Sequence, residues 1–167
     1  KMKRLPIESN TLRVTGAWEV FGGIAKVGDK VLVIGGGSVG LETADFLAEQ
    51  GKNVTVAKMT GHVGRGMFPS VRWYLMPRLA ELKIKILTST KVENIDQDKI
   101  VVSKDGNKKT LRGFNTTIVV AVDPRSENSL AESVQGLVPE VWVIGDAVSP
   151  RNASHTIREG YEVGRKI

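Results

Sequence analysis

Hydrophobic positions along the chain fall into short runs whose spacing predicts alternating strands and helices. Residues 31–34 are uniformly apolar and mostly β-branched, which is typical of a strand covered on both faces. Apolar residues at helical spacing follow at 39–50, and 53–57 form the next strand-like run. Together these runs predict a β-α-β unit of about 30 residues, the length that a right-handed parallel crossover needs.

Further runs surround this unit. Strands are also predicted at 10–14, 84–87, 117–122 and 141–144. A helical turn is predicted at 17–22, and helices at 70–82 and 152–167. Three alternating runs, joined by turns at 96–98 and 105–107, predict an antiparallel meander at 91–95, 99–103 and 108–112. Pro77 should kink or shorten its helix, and Ile157 and Tyr161 should point inward from the last one.

The order of these elements predicts the fold class. Strands that alternate with helices favour an α/β protein with a central, mostly parallel sheet. We expect the three-stranded antiparallel meander on one side of that sheet and helices on both of its faces.

Composition excludes several classes of protein. Of the 167 residues, 41% are hydrophobic and 25% are charged, which is typical of a folded globular domain. No apolar run approaches the ~18 residues that span a bilayer. The absence of cysteine excludes disulfides, thiolate metal sites and iron–sulfur clusters held by these residues. We therefore expect a cytoplasmic protein with no membrane partner and no metal site.

The net charge of +6 does not by itself indicate a nucleic-acid partner. Surfaces that bind nucleic acid cluster basic residues on one face, often with aromatic side chains among them. Here the basic residues are scattered among acidic ones, and only 5% of the residues are aromatic. We expect a mildly basic, solvated surface and no nucleic acid among the partners.

A glycine-rich turn carries the clearest candidate chemistry. Gly35, Gly37 and Gly40 follow the 31–34 strand directly and open the next helix. In a Rossmann-like site the first glycine permits the tight turn, the second lets a pyrophosphate approach the backbone, and the third allows close packing of helix and strand. The amides of Ser38 and Val39 would then face the phosphates. The turn predicts a dinucleotide site, with glycines kept only for packing as the alternative.

Two cations follow the second strand of this unit. Sites for NAD or FAD place an acidic residue there, which accepts hydrogen bonds from the ribose hydroxyls. This sequence has Lys58 instead, with Arg65 not far beyond. A cation can neutralise a 2′-phosphate, which favours NADP over NAD. Equally, Lys58 can be a solvated loop residue in a site with weakened affinity, and the sequence leaves both interpretations open.

A second candidate lies near the C-terminus, where the 141–144 run ends in Gly145 and Asp146. A carboxylate at the carboxyl end of a strand is well placed to bind a ligand in an α/β fold, although it can also cap a following segment. We expect residues 141–144 to pair beside 117–122 and extend the sheet. Asp146 would then lie at the same edge as the glycine turn.

Residues 31–56 (VLVIGGGSVGLETADFLAEQGKNVTV) resemble the pyridine-nucleotide-binding domain of flavoprotein disulfide-reductase-like enzymes. Three further segments narrow the resemblance, KILTSTKVENI, GLVPEVWVIGDAVSPRN and IREGYEVGRKI. They are similar to the C-terminal region of the NADH:flavin oxidoreductase family, which includes 2,4-dienoyl-CoA reductase, enoate reductases and trimethylamine dehydrogenase. The resemblance covers residues 12–167.

This resemblance implies a domain organisation. In that family a flavin-bearing barrel with an iron–sulfur cluster precedes two nested nucleotide-binding domains. Residues 27–122 would be the inserted NAD(P)-binding Rossmann domain, and 1–26 and 123–167 would be flanks like the FAD domain. Gly145 and Asp146 would contact FAD. Because the barrel, the cluster cysteines and the first FAD glycine motif are absent, we expect a fragment that is not a complete enzyme alone.

The resemblance also implies a function. The chain would position NAD(P)H for hydride transfer to a flavin held by the remaining domains of the parent protein. Glu42, in the first turn of the helix, stands where related reductases place a glutamate near the nicotinamide, and no catalytic side chain is implied. The alternative is a non-catalytic scaffold or interaction domain that kept the fold. Lys58 favours that alternative, and so does Asp123, where the family commonly has glycine.

Overall fold

A computed structural model of the chain describes residues 13–96, 99–112 and 117–167. The chain separates into two compact units at the boundary between Asp123 and Pro124. The described part of the larger unit contains eight strands and three helices. The strands are β1 (Arg13–Gly16), β2 (Lys30–Ile34), β3 (Asn53–Ala57), β4 (Lys85–Leu87), β5 (Lys91–Asp96), β6 (Lys99–Lys104), β7 (Asn107–Arg112) and β8 (Thr117–Val120). The helices are α1 (Ala17–Phe21), α2 (Ser38–Glu49) and α3 (Pro69–Glu81).

Five strands form one parallel sheet in the order β1-β8-β2-β3-β4. β2 pairs with β3 from Lys30 opposite Asn53 to Ile34 opposite Ala57, so the predicted β-α-β unit is confirmed. On its other side β2 pairs with β8. The chain therefore leaves β2 toward β3 and later returns to the opposite side of β2. The carboxyl ends of these three strands meet at the switch point where α/β folds bind ligands.

The two faces of this sheet are covered differently. Val31 and Val33 face α1, α2 and α3 in one core cluster, where Leu41 and Leu47 are fully buried. The alternate residues of β2 face the other way and pack with β5, β6 and β8, together with Ala57 and Val122. The expectation of helices on both faces is wrong for the larger unit. The meander itself covers the second face, because its apolar residues alternate toward the sheet.

The meander is confirmed as a three-stranded antiparallel sheet in the order β5-β6-β7. Asp105 and Gly106 both have positive φ, at 50° and 81°, which is the conformation of a tight hairpin turn between β6 and β7. The predicted turn at 96–98 falls partly on residues 97–98, and the predicted strand at 10–14 partly on residues 10–12. Those residues lie outside the described chain.

Helix α3 runs through Pro77 to Glu81, so the prediction that proline shortens it is wrong. Pro77 cannot donate to the carbonyl of Trp73, one turn earlier. Trp73 and Pro77 are both exposed, and that side of the helix is open to water. The opposite side is held by Leu75 and Leu79, which are buried in the core as predicted.

The smaller unit contains α4 (Ser129–Val134), a 3-10 turn at Gly145–Ala147 and α5 (Ala153–Gly164). Residues 141–144 are not a strand, and β8 already has β1 on one side and β2 on the other, so the predicted pairing is wrong. Residues 141–143 are 37 to 46% exposed, which lets water satisfy their backbone groups.

The predicted closing helix is confirmed as α5, and Asn152 precedes it as its N-cap. Its orientation differs from the prediction. Ile157 and Tyr161 are 72% and 64% exposed, because no apolar element of the described chain covers that face. No helix in the described residues is both long enough and apolar enough to cross a membrane.

Candidate functional site

The glycine turn lies between the carboxyl end of β3 and the residue that follows β8. Gly35 follows β2, and its amide donates to the Ala57 carbonyl at 2.9 Å. Its φ is +122°, and a Cβ added there would lie 2.1 Å from the Ala121 carbonyl oxygen. Both the backbone conformation and the space available therefore require glycine at this position.

The other two glycines of the motif differ sharply in their surroundings. A Cβ at Gly40 would lie 2.1 Å from the Gly35 carbonyl oxygen, so α2 can pass this close to the turn only with glycine there. At Gly37 no atom lies within 4 Å of the corresponding point. Packing explains Gly35 and Gly40, but it does not explain Gly37. The space beside Gly37 is open to a ligand.

Helix α2 begins at this open point. Its first intrahelical hydrogen bond runs from the Leu41 amide to the Gly37 carbonyl, at 3.0 Å. The amides of Ser38, Val39 and Gly40 precede that bond, and amides in such positions carry the partial positive charge of a helix N-terminus. The arrangement suits an anion such as a pyrophosphate.

Lys58 and Arg65 both come from segments that contact the turn. The Lys58 amide follows β3 and donates to the Leu87 carbonyl at 2.8 Å, and a Cβ on Gly36 would meet the Lys58 stem at 3.2 Å. Arg65 bridges Gly37 through the backbone. Within the described residues, neither side chain forms an ion pair with a carboxylate. The structure thus brings two uncompensated cations to the turn.

Glu42 lies two residues beyond Gly40, the last glycine of the motif. Because α2 begins at Ser38, Glu42 is its fifth residue and lies in the second turn, so its predicted place in the first turn is wrong. The side chain is exposed on the same helix that opens at the glycine turn.

One contact near the turn was not indicated by the sequence. The Arg72 guanidinium, on the first turns of α3, donates to the Val63 carbonyl at 2.5 Å. A helix-surface arginine in the sequence gives no signal of such a contact, since the loop at 59–68 has no periodicity that would place Val63. The contact ties α3 to the loop that carries Arg65.

The smaller unit holds Gly145 and Asp146 in a network of its own. Gly145 has φ +65°, and its amide donates to Glu159 Oε2 at 2.6 Å. Glu159 also pairs with the Arg151 guanidinium, while Asp146 Oδ1 accepts from the Arg151 amide at 3.1 Å. Asp146 does not cap α5, because Asn152 does. Beside Asp146 lies an open cavity of about 410 Å³. Asp146, Arg151, Ala153, Thr156 and Ile157 line it.

The Glu159 network predicts a measurable acid dependence. The hydrogen bond from the Gly145 amide, and then the Arg151 guanidinium, hold the pKa of Glu159 below its ordinary value. A depressed folded-state pKa stabilises the fold above the unfolded pKa, and this stabilisation is lost as the pH falls through the folded value. An NMR titration of the Glu159 carboxyl should have its midpoint below that of an unperturbed glutamate. In Arg151→Met the midpoint should rise, and an unchanged midpoint would contradict the network.

Comparison with known proteins assigns this arrangement to a family. The sequence profile of the pyridine nucleotide-disulphide oxidoreductases matches residues 8–160. The chain belongs to this family. The pyridine nucleotide-disulphide oxidoreductases use NAD(P)H and FAD, so the cofactors expected from the sequence are confirmed for the family.

Two relatives are reductases that are longer than this chain. The chain is 32% identical to a metal reductase of Desulforamulus reducens over 94% of its own length and 27% of that protein. It is 31% identical to a cinnamate reductase of Clostridium sporogenes, over 94% of the chain and 25% of the relative. The predicted resemblance to flavin-dependent oxidoreductases is confirmed, and the chain spans about a quarter of the length of these relatives.

Solved structures agree on the fold. A 2-naphthoyl-CoA reductase in complex with 2-naphthoyl-CoA superposes with a TM-score of 0.88 at 32% identity, over 100% of this chain and 26% of that one. Histamine dehydrogenase from Rhizobium sp. 4-9 superposes with a TM-score of 0.83 at 20% identity, over 98% of this chain and 27% of that one. The Rossmann-like α/β fold expected from the glycine turn is therefore confirmed.

Proposed function

We propose that the glycine turn binds the pyrophosphate of NAD(P)H and presents the nucleotide to FAD in a larger flavin-dependent oxidoreductase. The observation that carries the proposal is the open backbone at Gly37, where no atom lies within 4 Å of a possible Cβ. It lies at the N-terminus of α2 and at the switch point between β3 and β8. A helix N-terminus at a switch point is the usual binding place of an elongated, anionic ligand in an α/β fold.

The residues of the turn divide the work of binding. Gly35 and Gly40 allow the strand and the helix to approach each other, and Gly37 leaves the space in which a phosphate can reach the backbone. The amides of Ser38 and Val39 donate to that phosphate. The nucleotide supplies the hydride and FAD accepts it, so the chain need only bind and orient, and no catalytic side chain is required.

Three further residues are proposed to face the cofactors. Glu42, exposed on α2, would lie near the nicotinamide. Gly145 and Asp146 would contact FAD, which fits the exposed Asp146 carboxylate and the open cavity beside it. This part of the proposal rests on the resemblance of residues 136–152 to the FAD domain of the NADH:flavin oxidoreductases.

The proposed domain organisation follows the same resemblance. Residues 27–122 would form the inserted NAD(P)-binding domain, and 1–26 and 123–167 would belong to an FAD domain. The division of the chain after Asp123 supports the second boundary. The partners would be the dinucleotide and the remaining flavin-binding domains of the parent protein.

The cations at the turn predict a preference for NADPH over NADH. If Lys58 and Arg65 reach a 2′-phosphate, NADPH should bind more tightly by about 1–3 kcal/mol, the strength of one or two charge-assisted hydrogen bonds. The preference should shrink as salt rises, because exposed charges are screened. Titration of the chain with each nucleotide at low and high salt, monitored by fluorescence or calorimetry, measures the difference in affinity.

A matched pair of lysine variants sharpens the test. Lys58→Met should lose a measurable part of the preference, whereas Lys109→Met removes the same charge from the exposed surface of β7 and should keep it. Equal affinities for NADPH and NADH at low salt would mean that Lys58 is an ordinary surface lysine. Binding of neither nucleotide would favour the alternative function, a scaffold domain that kept the fold.

A further inference from the structure

We propose that Arg72 is a positioning residue that holds residues 63–65 against the glycine turn and thereby sets the selectivity for the 2′-phosphate. This inference rests on the proposed function, because it concerns how Arg65 reaches that phosphate. Arg72 itself need not touch the nucleotide. It acts through the backbone of the loop between β3 and α3.

The contacts form a continuous chain from α3 to the turn. Arg72 Nη1 donates to the Val63 carbonyl at 2.5 Å. The next amide, that of Gly64, donates to the Gly36 carbonyl at 2.7 Å, and Arg65 then bridges Gly37. Three successive residues of the loop are therefore fixed in turn by helix α3, by Gly36 and by Gly37.

The backbone conformation of the loop allows these contacts. Gly64 is buried with φ +70°, and a Cβ there would lie 2.5 Å from Arg72 Nη1. The missing side chain is what lets the guanidinium reach the carbonyl of the preceding residue. Val63 is also buried and meets the Gly36 position, so the loop packs on the turn from both sides of Gly64.

The charge of Arg72 has no carboxylate partner among the described residues, in contrast to Arg78 on the same helix. Arg78 pairs with Asp45 at 2.7 Å and with Glu49, both on α2. The Arg78 guanidinium therefore joins two helices, whereas the Arg72 guanidinium is committed to a loop carbonyl. The two arginines of α3 offer a matched comparison.

The first measurement needs no nucleotide. In Arg72→Met the Gly64 amide should exchange with solvent about tenfold faster or more, because a charge-assisted hydrogen bond no longer holds the loop. Arg78→Met should leave the exchange rate of that amide unchanged. NMR-detected hydrogen exchange on the nucleotide-free chain gives both rates. An unchanged exchange rate of the Gly64 amide in Arg72→Met would show that Arg72 does not hold the loop, and would overturn the inference.

The second measurement is a double-mutant cycle on the NADPH-to-NADH affinity ratio. Arg72→Met and Arg65→Met should each lower the ratio by about tenfold, and the double variant should lower it no further, because the two act through one contact. A ratio that Arg72→Met leaves unchanged would assign Arg72 a purely structural role. Additive losses would mean that Arg72 contacts the phosphate directly, and either result overturns the inference.

The two proposals fail in different ways. If the wild-type chain binds neither nucleotide while the Gly64 amide responds to Arg72→Met, the proposed function is wrong and the selectivity role falls with it. If the wild-type chain prefers NADPH through Arg65 and Arg72→Met changes neither measurement, only the inference about Arg72 is wrong.

Discussion

Gly37→Val should abolish dinucleotide binding and leave the fold intact. The valine methyl groups would occupy the space beside the α2 N-terminus, where the phosphates must approach the Ser38 and Val39 amides. Loss of two or more hydrogen bonds to a charged group corresponds to a decrease in affinity of about a hundredfold or more. Because Gly37 has φ −79° and no neighbour within 4 Å, the fold should persist. The melting temperature should fall only modestly, because valine is a poorer N-cap than glycine.

The control for this variant is Gly164→Val, at the end of α5. Gly164 also has no atom within 4 Å of its possible Cβ, so the same side chain enters open space far along the sequence from the turn. This variant should bind NADPH as the wild type does. Isothermal titration and thermal unfolding of both variants make the comparison. Unchanged nucleotide affinity in Gly37→Val would refute the assignment of the turn.

Gly40→Ala should have the opposite effect, a severe loss of stability. The added Cβ would lie 2.1 Å from the Gly35 carbonyl oxygen, which is backbone and cannot rotate away. Alanine improves helix propensity by about 1 kcal/mol, but separating α2 from the turn disrupts the core around Leu41 and Ala44. We expect a net destabilisation of about 2–3 kcal/mol, at the upper end of the range typical of overpacking.

Gly160→Ala in α5 provides the matched helical glycine. Its Cβ would meet only Ile144 Cδ1, at 3.8 Å, which is ordinary contact. This variant should be neutral or slightly stabilised, by up to about 1 kcal/mol from helix propensity. Urea unfolding of both variants measures the difference. Wild-type stability in Gly40→Ala would mean that α2 does not pack on the turn as described.

The parts of the fold that the sequence predicts are those in which one local pattern has one structural solution. Four apolar, mostly β-branched positions at 31–34, three glycines and a helical stripe can be satisfied together only as strand, turn and helix. This unit is observed as β2, α2 and β3. The meander is equally constrained, since alternation and the Asp105-Gly106 turn specify antiparallel pairing.

The run at 141–144 illustrates why the remainder could not be predicted. Its apolar residues are the same whether they form a buried strand or an exposed irregular segment, and periodicity cannot separate the two. The edge of β8 that it was expected to occupy is taken by β1, a four-residue strand that ends in glycine. Strand order depends on competition between distant segments, which a local pattern does not contain.

The same distinction between local pattern and distant contacts applies to the candidate site. The roles of Gly35 and Gly40 depend on backbone geometry and follow from motif and context. The positions of Lys58, Arg65 and Arg72 depend on how a loop without periodicity folds over the turn. The sequence indicated which cations follow β3, but it could not indicate the contact between Arg72 and Val63.

The packing of Gly35 against Ala121 also links ligand binding to the order in which the chain folds. The wall of the turn is supplied by Ala121, which directly follows β8. Its amide donates to the Ile34 carbonyl at 2.8 Å, although the whole meander separates the two residues in sequence. Contacts between residues so distant in sequence form late and slowly. A chain still emerging from the ribosome can form β2, α2 and β3 early, yet the wall of its glycine turn is not complete until Ala121 has been made. The complete turn is therefore available to a nucleotide only after β8 has joined the sheet.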